Sequence, residues 1–233
     1  MMSDIFSTFD PATSTLFHSL SPFMFWAMTI LSLSMLHSSF WISSSRWSQS
    51  ISYPMNIMLS QTNRTTASKI KGFPSILIPL FLYLIISNLL GLVPYMFSNT
   101  SHLIFTMSFG VPLWLSLIIS SATYSPKMFS AHFLPSGAPD WLNPFLVLIE
   151  TMSTLFRPLT LSFRLAANMS AGHIVLGLAG IYASTSLFTS TLNSSLLLTA
   201  QLMYIIFEIG ICLIQAYIFC LLISLYSDDH PTY

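Results

Sequence analysis

One arginine lies inside a long stretch of this chain that carries no other charge. After Arg164, no Lys, Arg, Asp or Glu follows until Glu208. Placing an arginine near the middle of a bilayer costs at least about 2.5–3.5 kcal/mol, so a cation at that depth is a candidate functional residue by default. Because arginine stays protonated at any physiological pH, Arg164 cannot relay protons, but it can attract an anion or repel a cation. The first question is therefore which anion faces Arg164.

Charged residues near Arg164 recur at intervals of seven, at Glu150, Arg157 and Arg164. Seven residues advance an α-helix by nearly two turns, with a drift of only about 20°, so the three side chains are expected to share one face. The same face carries small or polar residues, which are Thr160, Ala167, Asn168 and Ala171. Small residues on a membrane helix let another helix approach closely. An alternative for Glu150 and Arg157 is that they only mark the membrane interface.

A second series with the same spacing lies nearer the C-terminus, at Gln201, Glu208 and Gln215. A carboxylate in hydrocarbon needs water or a partner, which makes Glu208 a candidate for a proton relay. His173 is the other candidate, since an imidazole changes its charge near neutral pH. The alternatives are an internal ion pair between Arg164 and Glu208, a structural N–H donor at His173, and interhelical hydrogen bonds from the glutamines.

Composition indicates what must position these residues. Charged residues make up 6% of the chain and apolar ones 54%, whereas a soluble domain is usually about one quarter charged. The chain is therefore predicted to be an all-α, polytopic membrane protein with about five membrane segments. The formal net charge is zero, so nothing favours a nucleic-acid partner. Asp4 and Asp10 occupy the N-terminal region, and no secretory signal or transit peptide is expected.

The hydropathy pattern predicts one integral membrane domain over residues 1–233. Its segments are a first span at 21–42, a hairpin of spans at 73–97 and 103–122, and two long tilted helices at 144–181 and 187–226. Asn143 is the expected N-cap of the first long helix and Pro144 its first residue. Pro158 is expected to bend that helix, and Gly172, Gly177 and Gly180 to loosen it.

Four of the seven cations lie between the first two predicted spans, at Arg46, Arg64, Lys69 and Lys71. By the positive-inside rule this loop faces the cytoplasm or the mitochondrial matrix, and the N-terminus faces the opposite side. Part of the loop, near residues 51–59, has the mixture of apolar and polar side chains that an interfacial helix would have.

No motif indicates a bound cofactor, metal or nucleotide. The six histidines are scattered and no HxxH or CxxC pair occurs, so haem or metal ligation is not expected. Walker-type and nucleophile-elbow motifs are also absent from the sequence. The other five histidines are interpreted as loop or interface residues. They are His18, His37, His102, His132 and His230.

Three segments resemble one known family. Residues 163–173, FRLAANMSAGH, resemble the signature of subunit a of the F-type ATP synthase. Residues 207–219, FEIGICLIQAYIF, resemble the final helix of that family, and residues 88–95, NLLGLVPY, resemble its earlier hairpin. The resemblance covers about residues 70–226. The combination of His173 with Glu208 is similar to the mitochondrial branch of the family.

The resemblance implies a stator proton channel in the membrane sector, without catalysis by the chain itself and without a cofactor. It assigns proton translocation to six residues, which are Arg164, His173, Glu208, Gln215, Asn168 and Glu150. The implied partners are a rotating c-ring of small hairpin subunits, the peripheral stalk, other membrane-sector subunits, lipid and protons. The implied location is the mitochondrial inner membrane.

Within that resemblance, Arg164 faces the carboxylates of the ring and separates two offset half-channels. His173 and Glu208 serve the half-channel that opens to the intermembrane space, and Glu150 lies toward the matrix. Asn168 and Gln215 flank Arg164, whereas the role of Arg157 is open.

Two other functions remain open from the residues alone. In a proton-coupled secondary transporter, Arg164 would bind an anionic substrate, although the related halves that many transporters show are not apparent in this sequence. In a purely structural assembly subunit, neutralising Glu208 would leave proton flux intact.

Overall fold

The computed structural model describes residues 9, 27, 30–34, 46–93, 96–134, 141–188 and 190–230. Within these ranges the regular structure is helical, which confirms the all-α prediction. The helices are α1 (Arg46–Arg64), α2 (Phe73–Gly91), α3 (Leu103–Tyr124), α4 (Pro126–His132), α5 (Asn143–Ser186) and α6 (Thr191–Asp228). Short 3₁₀ turns occur at Thr66–Lys69 and Asn99–Ser101.

Four of these helices, α2, α3, α5 and α6, are long and apolar enough to cross a membrane. The first predicted span, at 21–42, lies outside the described residues except for residues 27 and 30–34, which are helical. Helix α5 has 44 residues and α6 has 38. At about 1.5 Å per residue each is close to twice the roughly 30 Å of a bilayer's hydrocarbon core, so each must tilt or project beyond it.

The two long helices form the centre of the molecule. They are joined by a short turn and pack against each other, while α3 lies against α5 and α2 lies against α6. The buried apolar side chains of α2, α5 and α6 form one core, which includes Leu77, Phe81, Leu84, Leu161, Leu165, Ala216, Phe219 and Ile223. The predicted hairpin helices α2 and α3 also touch through the Tyr83 ring, whose centroid is 6.2 Å from that of Phe105 and 5.7 Å from that of Phe109.

Two predicted helix boundaries are wrong. Helix α2 ends at Gly91 and not at 97, because the residue before Pro94 is disfavoured in a helix. The break predicted at 182–186 is helical, and the turn comes after Ser186. The hydroxyl groups of Ser184, Thr185 and Ser186 donate to backbone carbonyls three residues earlier, at 2.8–3.0 Å. These local bonds let a polar run stay within the helix.

The start of α5 differs from the prediction in one respect. Pro144 lies in the first turn as expected, but Asn143 does not cap the helix. Its Oδ1 is buried without a hydrogen-bond partner among the described residues, and Leu142 precedes the helix without a side-chain bond. Helix α5 runs through Pro158 without interruption. In the cationic loop, α1 includes the predicted residues 51–59.

Candidate functional site

Glu208 is the acid buried most deeply in the bundle. It lies on α6 with 2% of its surface exposed, and neither carboxyl oxygen has a hydrogen-bond partner within the described part of the chain. One helical turn later, the Sγ atom of Cys212 lies 3.5 Å from the Sδ atom of Met169 on α5. The backbone carbonyl of Cys212 accepts a bond of 3.4 Å from the Asn88 side chain on α2. Glu208 therefore lies beside the junction of α2, α5 and α6.

Gly172 provides the space that the Glu208 carboxyl group occupies. A Cβ atom added at Gly172 would overlap the Oε1 atom of Glu208 and would lie 2.5 Å from its carboxyl carbon. The sequence predicts that Gly172 loosens the helix. The structure instead requires a residue without a side chain there, because any larger residue would displace the acid.

His173 follows Gly172 directly and lies at the same level of the bundle. Its Nε2 atom is buried without a hydrogen-bond partner among the described residues. Its ring centroid is 6.2 Å from that of Phe9 in an edge-to-face arrangement. The structure therefore brings the predicted acid and imidazole to one level, and the N-terminal Phe9 to the same end.

Arg164 lies on an exposed face of α5. The same face exposes Thr160, Ala167 and Ala171, as the spacing predicted. Among the ion pairs of the described residues, none involves Arg164. The internal Arg164–Glu208 ion pair, one of the alternatives raised by the sequence, is therefore not formed. Gly172, beside Glu208, comes eight residues after Arg164, which is about 12 Å along the helix axis.

Arg157 is engaged by two acids. Its guanidinium lies 2.5 Å from Oδ2 of Asp229 and 3.4 Å from Oε1 of Glu150, and its Cζ atom lies 5.4 Å from the centroid of the Tyr226 ring. The second oxygen of Asp229 is 3.6 Å from Nε2 of His132 on α4. One carboxylate at the end of α6 thus links α4 and α5.

A cavity opens beside this charged cluster. It has about 60 Å³ of space open to water, enough for about four to six water molecules at roughly 10–15 Å³ each. Its polar lining consists of Arg157, Asp229, His132, His230, Ser121 and Thr154. The predicted residue Glu150 is thereby connected through Arg157 to a cavity at the end of the bundle opposite to His173, whose lining also includes apolar residues such as Trp114, Leu117 and Phe129.

The two predicted amides make no side-chain hydrogen bond to another residue in the described ranges. Asn168 and Gln215 are both partly exposed. Asn168 follows Arg164 by one helical turn, and Gln215 follows Glu208 by two.

Sequence reasoning missed Asp229, although a signal was present. Asp229 continues the interval of seven that relates Gln201, Glu208 and Gln215, with Leu222 between. His132, predicted to be a loop or interface residue, lies in α4 and contacts Asp229. No sequence pattern indicated that Gly172 lies against Glu208, because that contact depends on how α5 packs on α6.

Together the fold and this site define a polytopic, all-α membrane protein. Its bundle buries an acid and its outer face carries an arginine, and neither pairs with a charge in the described part of the chain. The sequence model of the family described as ATP synthase A chain matches residues 18–228. ATP synthase subunit a of Albinaria caerulea is 41% identical, covering 99% of this chain and 100% of the relative. ATP synthase subunit a of Locusta migratoria is 38% identical, covering 98% of this chain and 99% of the relative. The chain belongs to the ATP synthase subunit a family.

Family membership makes the chain a component of the membrane sector of ATP synthase, with a general role in proton transport.

Proposed function

We propose that this chain is the stator proton channel of ATP synthase, with two offset half-channels that load and unload protons on the carboxylates of a rotating c-ring. The observation that carries the proposal is the order of polar groups along α5. The Glu150–Arg157–Asp229 cluster lies at one end, Arg164 lies in the middle, and Gly172, with Glu208 against it, lies toward the other end.

The inlet half-channel ends at Glu208 and His173. A buried carboxyl group without a protein partner is tolerated only if water reaches it or if it is neutral. Among the described residues, both carboxyl oxygens of Glu208 and the Nε2 atom of His173 are buried without a hydrogen-bond partner. We assign them the transfer of protons between the intermembrane space and the ring.

The outlet half-channel includes Glu150, with Asp229 and the cavity beside it. The space is large enough for about four to six waters, at roughly 10–15 Å³ per water, and its lining includes Arg157, Asp229 and His132. Carboxylates next to water are suited to receive protons that leave the ring. Arg157 then has the role that its contacts support, which is to hold Glu150 and Asp229 in place.

Arg164 separates the two half-channels and faces the ring, flanked by Asn168 and Gln215. The exposed Ala167 and Ala171 on its face let a neighbouring helix approach closely. A fixed guanidinium attracts an ionised ring carboxylate and disfavours a hydronium path that would bypass the ring. A membrane potential supplies about 2.3 kcal/mol per charge per 100 mV to drive each transfer.

The proposed surroundings follow from the same assignment. The chain lies in the mitochondrial inner membrane beside the c-ring, the peripheral stalk and other membrane-sector subunits. The cationic residues between the first two predicted spans, which include Arg64 and Lys69, face the matrix. Glu208 and His173 lie within the bundle, toward the side of the intermembrane space.

The test is proton flux through the assembled enzyme in membrane vesicles carrying Glu208→Gln. We expect flux that is sensitive to an inhibitor of the rotary enzyme to fall at least tenfold. The matched control is Asp228→Asn, which neutralises an acid on the same helix whose carboxylate is bonded to Thr66 at 2.8 and 2.9 Å. Normal inhibitor-sensitive flux in Glu208→Gln would favour a structural subunit and remove the proposed channel.

A further inference from the structure

The connection between α2 and α3 is unusually buried for a loop. Ser98, Asn99 and Thr100 are all below one tenth exposed, and Thr100 is 0% exposed. The 3₁₀ turn Asn99–Ser101 packs against α2, α3 and α5, whereas connecting segments normally run over the surface. Gly91 permits the close approach, since a Cβ atom placed there would lie 3.6 Å from the Ser98 backbone.

Polar atoms in this buried connection lack protein partners. The two serine hydroxyls are satisfied within the turn, because Ser98 Oγ donates to Ser101 Oγ at 2.9 Å and Ser101 Oγ donates to the Ser98 carbonyl at 2.6 Å. In contrast, Oδ1 of Asn99, Oγ1 of Thr100 and Nε2 of His102 are buried and have no hydrogen bond within the described ranges. Native proteins satisfy nearly all buried polar groups, with ordered water where no protein group is available.

Asn88, on α2, is another buried polar residue with one unpartnered atom within the described ranges. Its side chain is 0% exposed, and its Oδ1 also lacks a partner among the described residues, while its Nδ2 donates to the Cys212 carbonyl at 3.4 Å. Cys212 comes one helical turn after Glu208, and Asn88 one turn before Gly91.

The buried connection is continuous with the surroundings of Glu208. A Cβ atom at Gly91 would lie 3.3 Å from Cε of Met169 and 3.4 Å from Cβ of Ser98. Met169 in turn contacts Cys212 and precedes Gly172 by one turn. Gly91 therefore lies against both Ser98 of the connection and Met169, and Met169 contacts Cys212, one helical turn after Glu208. Asn99 and Thr100 follow Ser98 directly, and Asn88 bonds to the Cys212 carbonyl.

We propose that Asn88, Asn99 and Thr100 line a hydrated passage between the outer face and Glu208. The inference rests on the proposed inlet half-channel and extends it to α2 and to the α2–α3 connection. These side chains do not titrate, so their role is to hold the water molecules through which protons reach the acid.

The first test is inlet proton flux in assembled enzyme carrying Thr100→Val, which removes the hydroxyl and keeps the shape. We expect flux to fall at least threefold and Thr100→Ser to restore most of it. The matched control is Thr106→Val, because the Thr106 side chain is 1% exposed and its hydroxyl already donates to the Leu103 carbonyl at 2.9 Å. Flux in Thr106→Val should stay within about twofold of the wild type.

The second test reports on water access directly. Thr100→Cys and Thr106→Cys are treated with a small cationic methanethiosulfonate from the outer side. The native Cys212 and Cys220 are both 0% exposed, so the treated wild type provides the background. Block of flux in Thr100→Cys alone is the expected result.

An unblocked Thr100→Cys enzyme together with normal flux in Thr100→Val would overturn the passage. If Glu208→Gln is inactive in the same preparation, the proposed function stands and only the passage fails. Normal flux in Glu208→Gln would instead remove the proposed function on which the passage rests.

Discussion

Gly172→Ala is the substitution for which the structure makes the sharpest prediction. The added methyl group would overlap Oε1 of Glu208 and would lie 2.5 Å from the carboxyl carbon and 3.1 Å from Oε2. Either the acid must leave its position or α5 and α6 must move apart. Adding a methyl group to a well-packed interior costs about 1–3 kcal/mol. If proton transfer requires the acid in its native position, that energy reduces the rate by roughly 5- to 150-fold.

The assay is ATP-driven proton pumping by assembled enzyme in vesicles, normalised to the amount of assembled complex. Gly177→Ala and Gly180→Ala are matched controls, because they lie on the same helix and a Cβ atom at either position meets nothing within 4 Å. Both should pump normally and should stabilise the helix slightly, by about 0.4–1 kcal/mol. Assembled Gly172→Ala enzyme that pumps at the wild-type rate would refute the reasoning.

A second change separates displacement of the acid from a general loss of packing. Glu208→Asp shortens the side chain by one methylene group, which opens room for the alanine methyl group. If displacement is the cause, the double variant Gly172→Ala, Glu208→Asp should lose less activity than the product of the two single losses. Independent, multiplicative losses would indicate that the helices have simply separated.

Three further outcomes are expected. Arg164→Gln should abolish proton-driven ATP formation in reconstituted vesicles while the complex still assembles, and normal synthesis would contradict its role as separator. Arg157→Gln should lower thermal stability by about 1 kcal/mol or less, because the paired side chains are partly exposed, at 28% for Arg157 and 42% for Asp229. A loss above about 3 kcal/mol in a thermal melt would mean that the ion pairs behave as buried ones. Thr66→Val should loosen the junction after α1 by removing the hydroxyl bonded to Asp228 at 2.9 Å, detected as faster hydrogen exchange at residues 66–69, and unchanged exchange there would contradict this.

Composition and spacing predicted much of the architecture because a bilayer imposes strong constraints. The length of the predominantly apolar runs indicated α2, α3 and the two long helices, since such a run has few other stable forms in a bilayer. The interval of seven predicted which residues share a helix face with Arg164 and with Glu208, whereas the exposure of Arg164 and the burial of Glu208 come from the packing of the helices. The helix ends were less predictable, because hydroxyl groups such as that of Ser186 can bond within a helix or end it.

The parts of the site that sequence did not predict depend on tertiary contacts. The role of Gly172 depends on the packing of α5 against α6, and the role of Asn88 depends on the packing of α2 against α6. The polar connection around Thr100 resembles a surface loop in composition, and only packing shows that it is buried. His132 became part of the charged cluster because α4 turns back toward the end of α6, which no local pattern specifies.

Among the described residues Arg164 and Glu208 form no ion pair with each other, and the spacing along α5 gives a reason. At about 4 Å, an ion pair with an effective dielectric constant near 20 is worth about 4 kcal/mol, whereas two charges held apart by the roughly 12 Å of helix axis between residues 164 and 172 would gain only about 1.4 kcal/mol. A close pair would neutralise both groups and leave neither able to act on a partner. Gly172 comes eight positions after Arg164, a spacing that fits the proposed mechanism, in which the arginine charge is available to an outside carboxylate and Glu208 binds and releases a proton. The small size of residue 172 and the spacing along α5 are therefore two requirements of the same proposed mechanism: one admits the acid into the bundle, and the other keeps it away from the arginine.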